Sequence, residues 1–215
     1  MHRQNLLAIG VLGLVSAAVL VAGYASGRGP LGVLSYGVAR LSNGSNRNAF
    51  EDRLTTENNS PAAPEFAPGN WINSEPVTLK SLRGRVVLVE FWTFGCYNCR
   101  NTLPFIKAWD ARYRQKGLTI VGVHSPEFDD ERKLENLRRE VAALEIQYPV
   151  ITDNDYQTWH AYDVEAWPTI FVIDKYGRRR WMHVGEGAYG ETEELIQKLL
   201  AEDYQQMDST TATKK

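Results

Sequence analysis

The chain has 215 residues, of which 43% are hydrophobic and 23% charged, which fits one compact core once the terminal segments are set aside. Basic and acidic residues nearly balance at a net charge of -2 and are interspersed, so no long-range field exists to gather nucleic acid. The only 2 cysteines stand three positions apart, where a bond between them closes almost no loop, so their pairing is chemical before it is structural.

From Leu6 to Ala25 no residue is charged (LLAIGVLGLVSAAVLVAGYA), and Arg3 precedes the run. That length suffices for one membrane-spanning helix, so residues 1–25 are expected to be an anchor. A secretory signal is the alternative, with Gly23 and Ala25 as small residues at a cleavage-like spacing. Arg28 and Arg40 offset Arg3, so charge bias leaves the orientation open. Residues 26–67 turn to Gly, Ser, Asn, Pro and scattered charge, which buries little apolar surface and reads as a flexible linker.

Residues 68–204 carry the signals of a folded domain. Arg85–Trp92 (RVVLVEFW) is an almost continuous apolar run, the pattern of a strand covered on both faces. Cys96-Tyr97-Asn98-Cys99 follows at once. Leu103, Ile106, Trp109 and Tyr113 recur at helical spacing up to Gly117, which stops the helix. Leu118–Val123 reads as a second strand, Glu131–Leu144 as an amphipathic helix and Tyr148–Thr152 as a short strand. Trp159 and Tyr162 suit packing on a short helix. Thr169–Asp174 and Arg179–Val184 are two more strands about the turn Lys175-Tyr176-Gly177, and Glu191–Glu202 is a closing helix. The alternation predicts an α/β fold, with residues 205–215 as a polar tail.

A Cys-X-X-Cys pair at a strand-to-helix junction places its first sulfur at the positive end of the helix, where a thiolate is stabilised. Cys96 is then the nucleophile and Cys99 the resolving thiol. Tyr97 and Asn98 between them control access and hydrogen bonding. Glu90 interrupts the apolar strand; buried, it would have a raised pKa and could take the Cys99 proton, whereas at a sheet edge it would simply face solvent. Trp92 and Phe94 are either an apolar platform around the dithiol or ordinary core. A structural zinc site lacks a second cysteine pair, and Arg100 stands where covalent haem attachment needs histidine.

The segment FWTFGCYNCRNTLPF, with Ala166-Trp167-Pro168-Thr169 downstream, resembles the thioredoxin superfamily and its TlpA-like branch. Through FWTFGCYNC, GVHSPEF, DNDYQTWHAY and HVGEGAYGETEELI it is similar to the thioredoxin-like domain of DipZ-type proteins, from Pro61 to roughly Glu202. The resemblance implies a thioredoxin fold, a central mixed β-sheet flanked by helices, with a TlpA-like central insertion. It makes Pro168 the cis-proline opposite the dithiol, puts Trp167 and Thr169 beside it in a substrate groove, and gives Pro104 as a helix-kinking proline. Glu90 falls at the buried-acid position of thioredoxins. Gly95 and Tyr97-Asn98 depart from the common Trp before the pair and Gly-Pro within it, so thioredoxin-like reducing power does not follow.

The expected function is a membrane-tethered thiol-disulfide oxidoreductase on the extracytoplasmic (periplasmic) side, or secreted if the leader is cleaved. It would exchange disulfides with exported proteins in cytochrome c maturation or disulfide reduction, without cofactor or metal. The resemblance is to proteins of the DipZ type that carry a multi-span electron-conducting portion ahead of this domain; residues 1–67 hold no such portion, so a separate membrane electron donor of the CcdA/DsbD type is expected. Two alternatives stand. One is a thiol peroxidase of the peroxiredoxin kind, since Thr93 lies three residues before Cys96, although Val89 replaces that family's proline. The other is a non-redox binding or assembly module using the cis-proline groove.

Overall fold

The computed structural model describes residues 60–205. The expected anchor, most of the linker and the tail from residue 206 lie outside the described residues. Among the described residues no helix is long and apolar enough to cross a membrane.

The elements are β1 (Trp71–Ile72), β2 (Val86–Trp92), α1 (Tyr97–Tyr113), β3 (Leu118–His124), α2 (Leu134–Ala143), β4 (Val150–Thr152), α3 (Gln157–Ala161), β5 (Thr169–Ile173), β6 (Arg179–Val184) and α4 (Tyr189–Ala201). They form one mixed sheet in the order β1-β4-β3-β2-β5-β6. Strands β2, β3 and β4 run parallel to their neighbours among themselves; β1, β5 and β6 pair antiparallel. Between β3 and α3 the chain inserts α2 and β4, and β4 extends the sheet.

All of β2 is buried, because it sits inside the sheet with helices over both faces. Val86, Leu88 and Trp92 enter a core with Leu103 and Ile106 of α1, Leu137 and Val141 of α2, and Leu195 and Leu199 of α4. Val87, Val89 and Phe91 enter a second core with Leu79, Trp159 and Tyr162. Strand alternation therefore turns Glu90 toward α1, the same side as the buried Cys99.

Two sequence expectations shift, and one strand is additional. The predicted helix Glu131–Leu144 is broken: Asp129–Arg132 forms a 3-10 turn, Lys133 is extended, and α2 begins at Leu134. The cause is Glu131, whose carboxylate turns back onto loop N–H groups. The linker boundary at residue 67 falls too late. Ala62 bridges Arg178, Ala63 N–H donates to Gly177 O (2.9 Å), and Glu65 accepts from Leu79 and Lys80 N–H (2.7 and 2.9 Å). These contacts are made to residues remote in sequence, so local composition does not reveal them. Strand β1 has no counterpart in the sequence pattern, because two residues paired with the edge of β4 leave no periodic signal.

Candidate active site

Cys96 is the N-cap of α1, and its Sγ accepts a hydrogen bond from Cys99 N–H at 3.2 Å. The first turn of α1 thus presents a backbone donor and the positive end of the helix to that sulfur. Cys96 is half-buried and Cys99 buried, and both are free thiols. Burial, then the hydrogen bond with Cys96, pushes the Cys99 thiol up; a backbone hydrogen bond at Thr93 opposes this, and the Glu90 charge adds to the rise. The pair is asymmetric, with one reachable sulfur and one sealed sulfur that holds its proton.

Glu90 is fully buried, and that burial pushes its carboxyl up to about 8 against the opposing hydrogen bond from Tyr148. Tyr148 OH donates to Oε2 at 3.1 Å, while Oε1 has no partner among the described residues. In the sheet Glu90 is paired with Gly122 of β3. A Cβ on Gly122 would lie 2.8 Å from Trp92 Nε1 and 3.2 Å from Tyr148 Cε2, so glycine leaves the space through which Tyr148 reaches the carboxylate. Sequence reading missed Tyr148; a glycine inside the apolar strand LTIVGVH was the available signal.

The Trp167-Pro168 peptide bond is cis, as the resemblance implied. Pro168 is buried, and Thr169 Oγ1 donates to Ala166 O at 2.7 Å. Trp167 Nε1 donates to Ser125 O at 3.0 Å, and its ring packs on Trp159 with centroids 4.5 Å apart. An open cleft of about 510 Å³ lies beside Cys96, lined by Tyr97 and Asn98, by Glu127 and Phe128 from the insertion, and by Glu165 and Trp167 from the proline loop.

Of the expected substrate contacts, Tyr97, Asn98 and Trp167 line this cleft. Trp92 does not: it is 0% exposed in the core beneath α1, because its position in β2 points inward. Thr169 is likewise buried and bonds within its own loop, and Phe94 is half-buried, stacked on His124 with centroids 5.4 Å apart. Burial lowers His124 to about 4, so its imidazole is neutral; Nε2 lies 3.2 Å from Thr93 Oγ1.

Glu131, also missed, is a buried carboxylate that holds two loops together. Its Oε1 accepts from Gly95 N–H (2.9 Å), and its Oε2 accepts from Glu127 and Phe128 N–H (2.5 and 3.0 Å). A side chain on Gly95 would run into Oε1, which explains glycine directly before the nucleophile. Among the described residues no group of His, Cys, Asp and Glu is arranged to hold a metal ion.

Comparison with known proteins agrees with this geometry. The AhpC/TSA family matches residues 61–182. Protein DipZ of Mycobacterium bovis is 41% identical over 133 residues, which is 60% of this chain but only 19% of DipZ. Thiol-disulfide oxidoreductase YkuV of Bacillus subtilis is 29% identical over 133 residues, 61% of this chain and 88% of YkuV. The crystal structure of a thiol-disulfide isomerase from Corynebacterium glutamicum superposes with a TM-score of 0.59 at 27% identity, covering 66% of this chain and 98% of that one. With the family match spanning more than half its length, the chain belongs to the AhpC/TSA family, as a thioredoxin-like domain of the TlpA-like branch.

Proposed function

We propose that the domain is a thiol-disulfide oxidoreductase that exchanges disulfides with protein substrates. The observation that carries this is the asymmetry of the dithiol: Cys96 opens onto a cleft with a backbone N–H on its sulfur, and Cys99 is sealed on the Glu90 side of the sheet. The Cys96 thiolate attacks a substrate disulfide; a Cys96-substrate S–S bond forms, the substrate S–S bond breaks, and the departing sulfur takes a proton from solvent. Cys99 passes its proton through an intervening water to Glu90 in its ionised form, whose population grows as pH rises toward 8, and attacks the Cys96 sulfur. The Cys96–Cys99 disulfide forms, the Cys96–substrate S–S bond breaks, the second substrate sulfur leaves as a thiolate that takes a proton from solvent, and two electrons have moved to the substrate. In reverse, protonated Glu90 returns the proton to Cys99 as it leaves.

Replacing Cys99 by Ser tests this. The variant is expected to accumulate mixed disulfides at Cys96 that mass spectrometry identifies, and absence of any adduct refutes the exchange mechanism. The double Cys96→Ser/Cys99→Ser variant addresses the binding-module alternative, which predicts retained function. Against the peroxidase alternative, Thr93 is fully buried with its hydroxyl beside His124, and a second cysteine stands one helical turn from Cys96.

The apolar run Leu6–Ala25 supports a further proposal, that the chain is a single-pass membrane protein with this domain on the extracytoplasmic side. Its substrates there are exported proteins, apocytochrome c among them, and a separate membrane donor of the CcdA/DsbD type restores the dithiol. Membrane fractionation with protease accessibility of the full chain checks the topology; a soluble, protease-shielded domain refutes it.

A further inference from the structure

The cleft beside Cys96 carries charge of one sign. Its charged lining residues are Glu127 and Glu165, from two different loops, both exposed and neither with a hydrogen-bond or ion-pair partner for its carboxylate among the described residues. Nearby guanidinium groups are engaged elsewhere: Arg100 donates to Phe94 O (2.8 Å) and Glu140 (3.4 Å), and Arg132 to Asn154 O (2.7 Å). Two aromatic rings stand in the same lining, Tyr97 at 75% exposure and Phe128 at 58%. Phe128 projects its ring into solvent although its backbone N–H is fixed at 3.0 Å to the buried Glu131 carboxylate. An apolar ring held out on a pinned backbone is a preorganised contact, because little conformational freedom is lost when a partner covers it.

We propose that this cleft selects protein disulfides whose reacting cysteine is flanked by lysine or arginine. The proposal rests on the oxidoreductase reading and names the substrate class of that site. The aliphatic stem and charge of the flanking residue lie against Phe128 and Tyr97, where a cation meets the ring faces, and the charge is shared by Glu127 and Glu165. An acidic flank meets the same two carboxylates and is repelled. The redox step is the exchange already written, with the substrate disulfide as oxidant and the dithiol as reductant. Two exposed ion pairs together with electrostatic steering amount to roughly tenfold in the second-order rate at low ionic strength. The advantage falls as salt screens it.

The test is single-turnover oxidation of the reduced full-length protein by two synthetic disulfide peptides that differ only in the residues flanking one cysteine, Lys in one and Glu in the other. Each rate is normalised to reduction of the same peptide by dithiothreitol, which removes the intrinsic reactivity of the peptides. The Lys peptide is expected to react roughly tenfold faster, with the ratio approaching one in molar salt and in the E127Q/E165Q double variant. Equal normalised rates in the unsubstituted protein, or a preference that survives in the double variant, overturn the proposal. If neither peptide is reduced while iodoacetamide still alkylates Cys96, the oxidoreductase reading itself falls.

Discussion

Replacing Glu90 by Gln isolates the cost of the buried acid. In the unfolded chain this carboxyl titrates near 4.5, whereas in the fold burial holds it at about 8. The folded state therefore keeps a proton that the unfolded state has lost, and stability falls as pH rises through this window. The full effect is present below 4.5 and is lost by the time pH passes 8. A difference between 4.5 and about 8 corresponds to about 5 kcal/mol at about 1.4 kcal/mol per pH unit, a large share of the stability of a single domain. The amide of Glu90→Gln keeps the shape and an acceptor for Tyr148 OH but cannot ionise. Guanidinium denaturation of the reduced proteins, followed by fluorescence of buried Trp92 and Trp109, measures both stabilities across this pH range. The advantage of Glu90→Gln over the unsubstituted protein is expected to grow from pH 5 to pH 8 and then level off. A difference that does not change with pH refutes the claim that the fold holds this carboxyl neutral. The same substitution should slow the resolving attack of Cys99 by roughly a hundredfold and abolish the rise of that step toward pH 8, as read by decay of the mixed disulfide in quenched-flow experiments.

Tyr148→Phe removes the donor that opposes the rise of the Glu90 pKa, so the pH midpoint of the resolving step should move upward, and loss of the hydroxyl should cost roughly 1 kcal/mol in denaturation. An unchanged midpoint would separate Tyr148 from the proton path. Gly122→Ala puts a methyl group 2.8 Å from Trp92 Nε1 and 3.2 Å from Tyr148, which should destabilise the domain by roughly 1–3 kcal/mol and disturb the Glu90 titration. Gly95→Ala should weaken the hold of Glu131 on the loop before Cys96, visible as a slower rate of mixed-disulfide formation at equal thiol content. Hydrogen peroxide should consume the dithiol more slowly than an equal concentration of peptide disulfide, and the reverse order would favour the peroxidase alternative.

Local signals were sufficient for much of the fold. The apolar run of β2, the helical recurrence from Leu103 to Tyr113, the stop at Gly117 (φ 106) and the β5–β6 hairpin each follow from neighbours within a few residues. The dithiol and its place at the start of α1 were legible for the same reason. Orientation was not. Period-two alternation says that Glu90 and Trp92 share a face, but only the packing of α1, α2 and α4 makes that face fully buried, so Trp92 becomes core instead of a substrate platform.

The reactive pair and the strand that presents it are written in one contiguous stretch of sequence, and the cis Trp167-Pro168 bond came from the family resemblance. Tertiary structure decided the environment of the pair. Tyr148 reaches Glu90 from a position 58 residues away, and Glu131 reaches Gly95 across 36. Both contacts depend on sheet register and on a loop that folds back on itself. The proton affinity of a buried carboxyl and the charge of a cleft are sums over such neighbours, and only the packed chain supplies them.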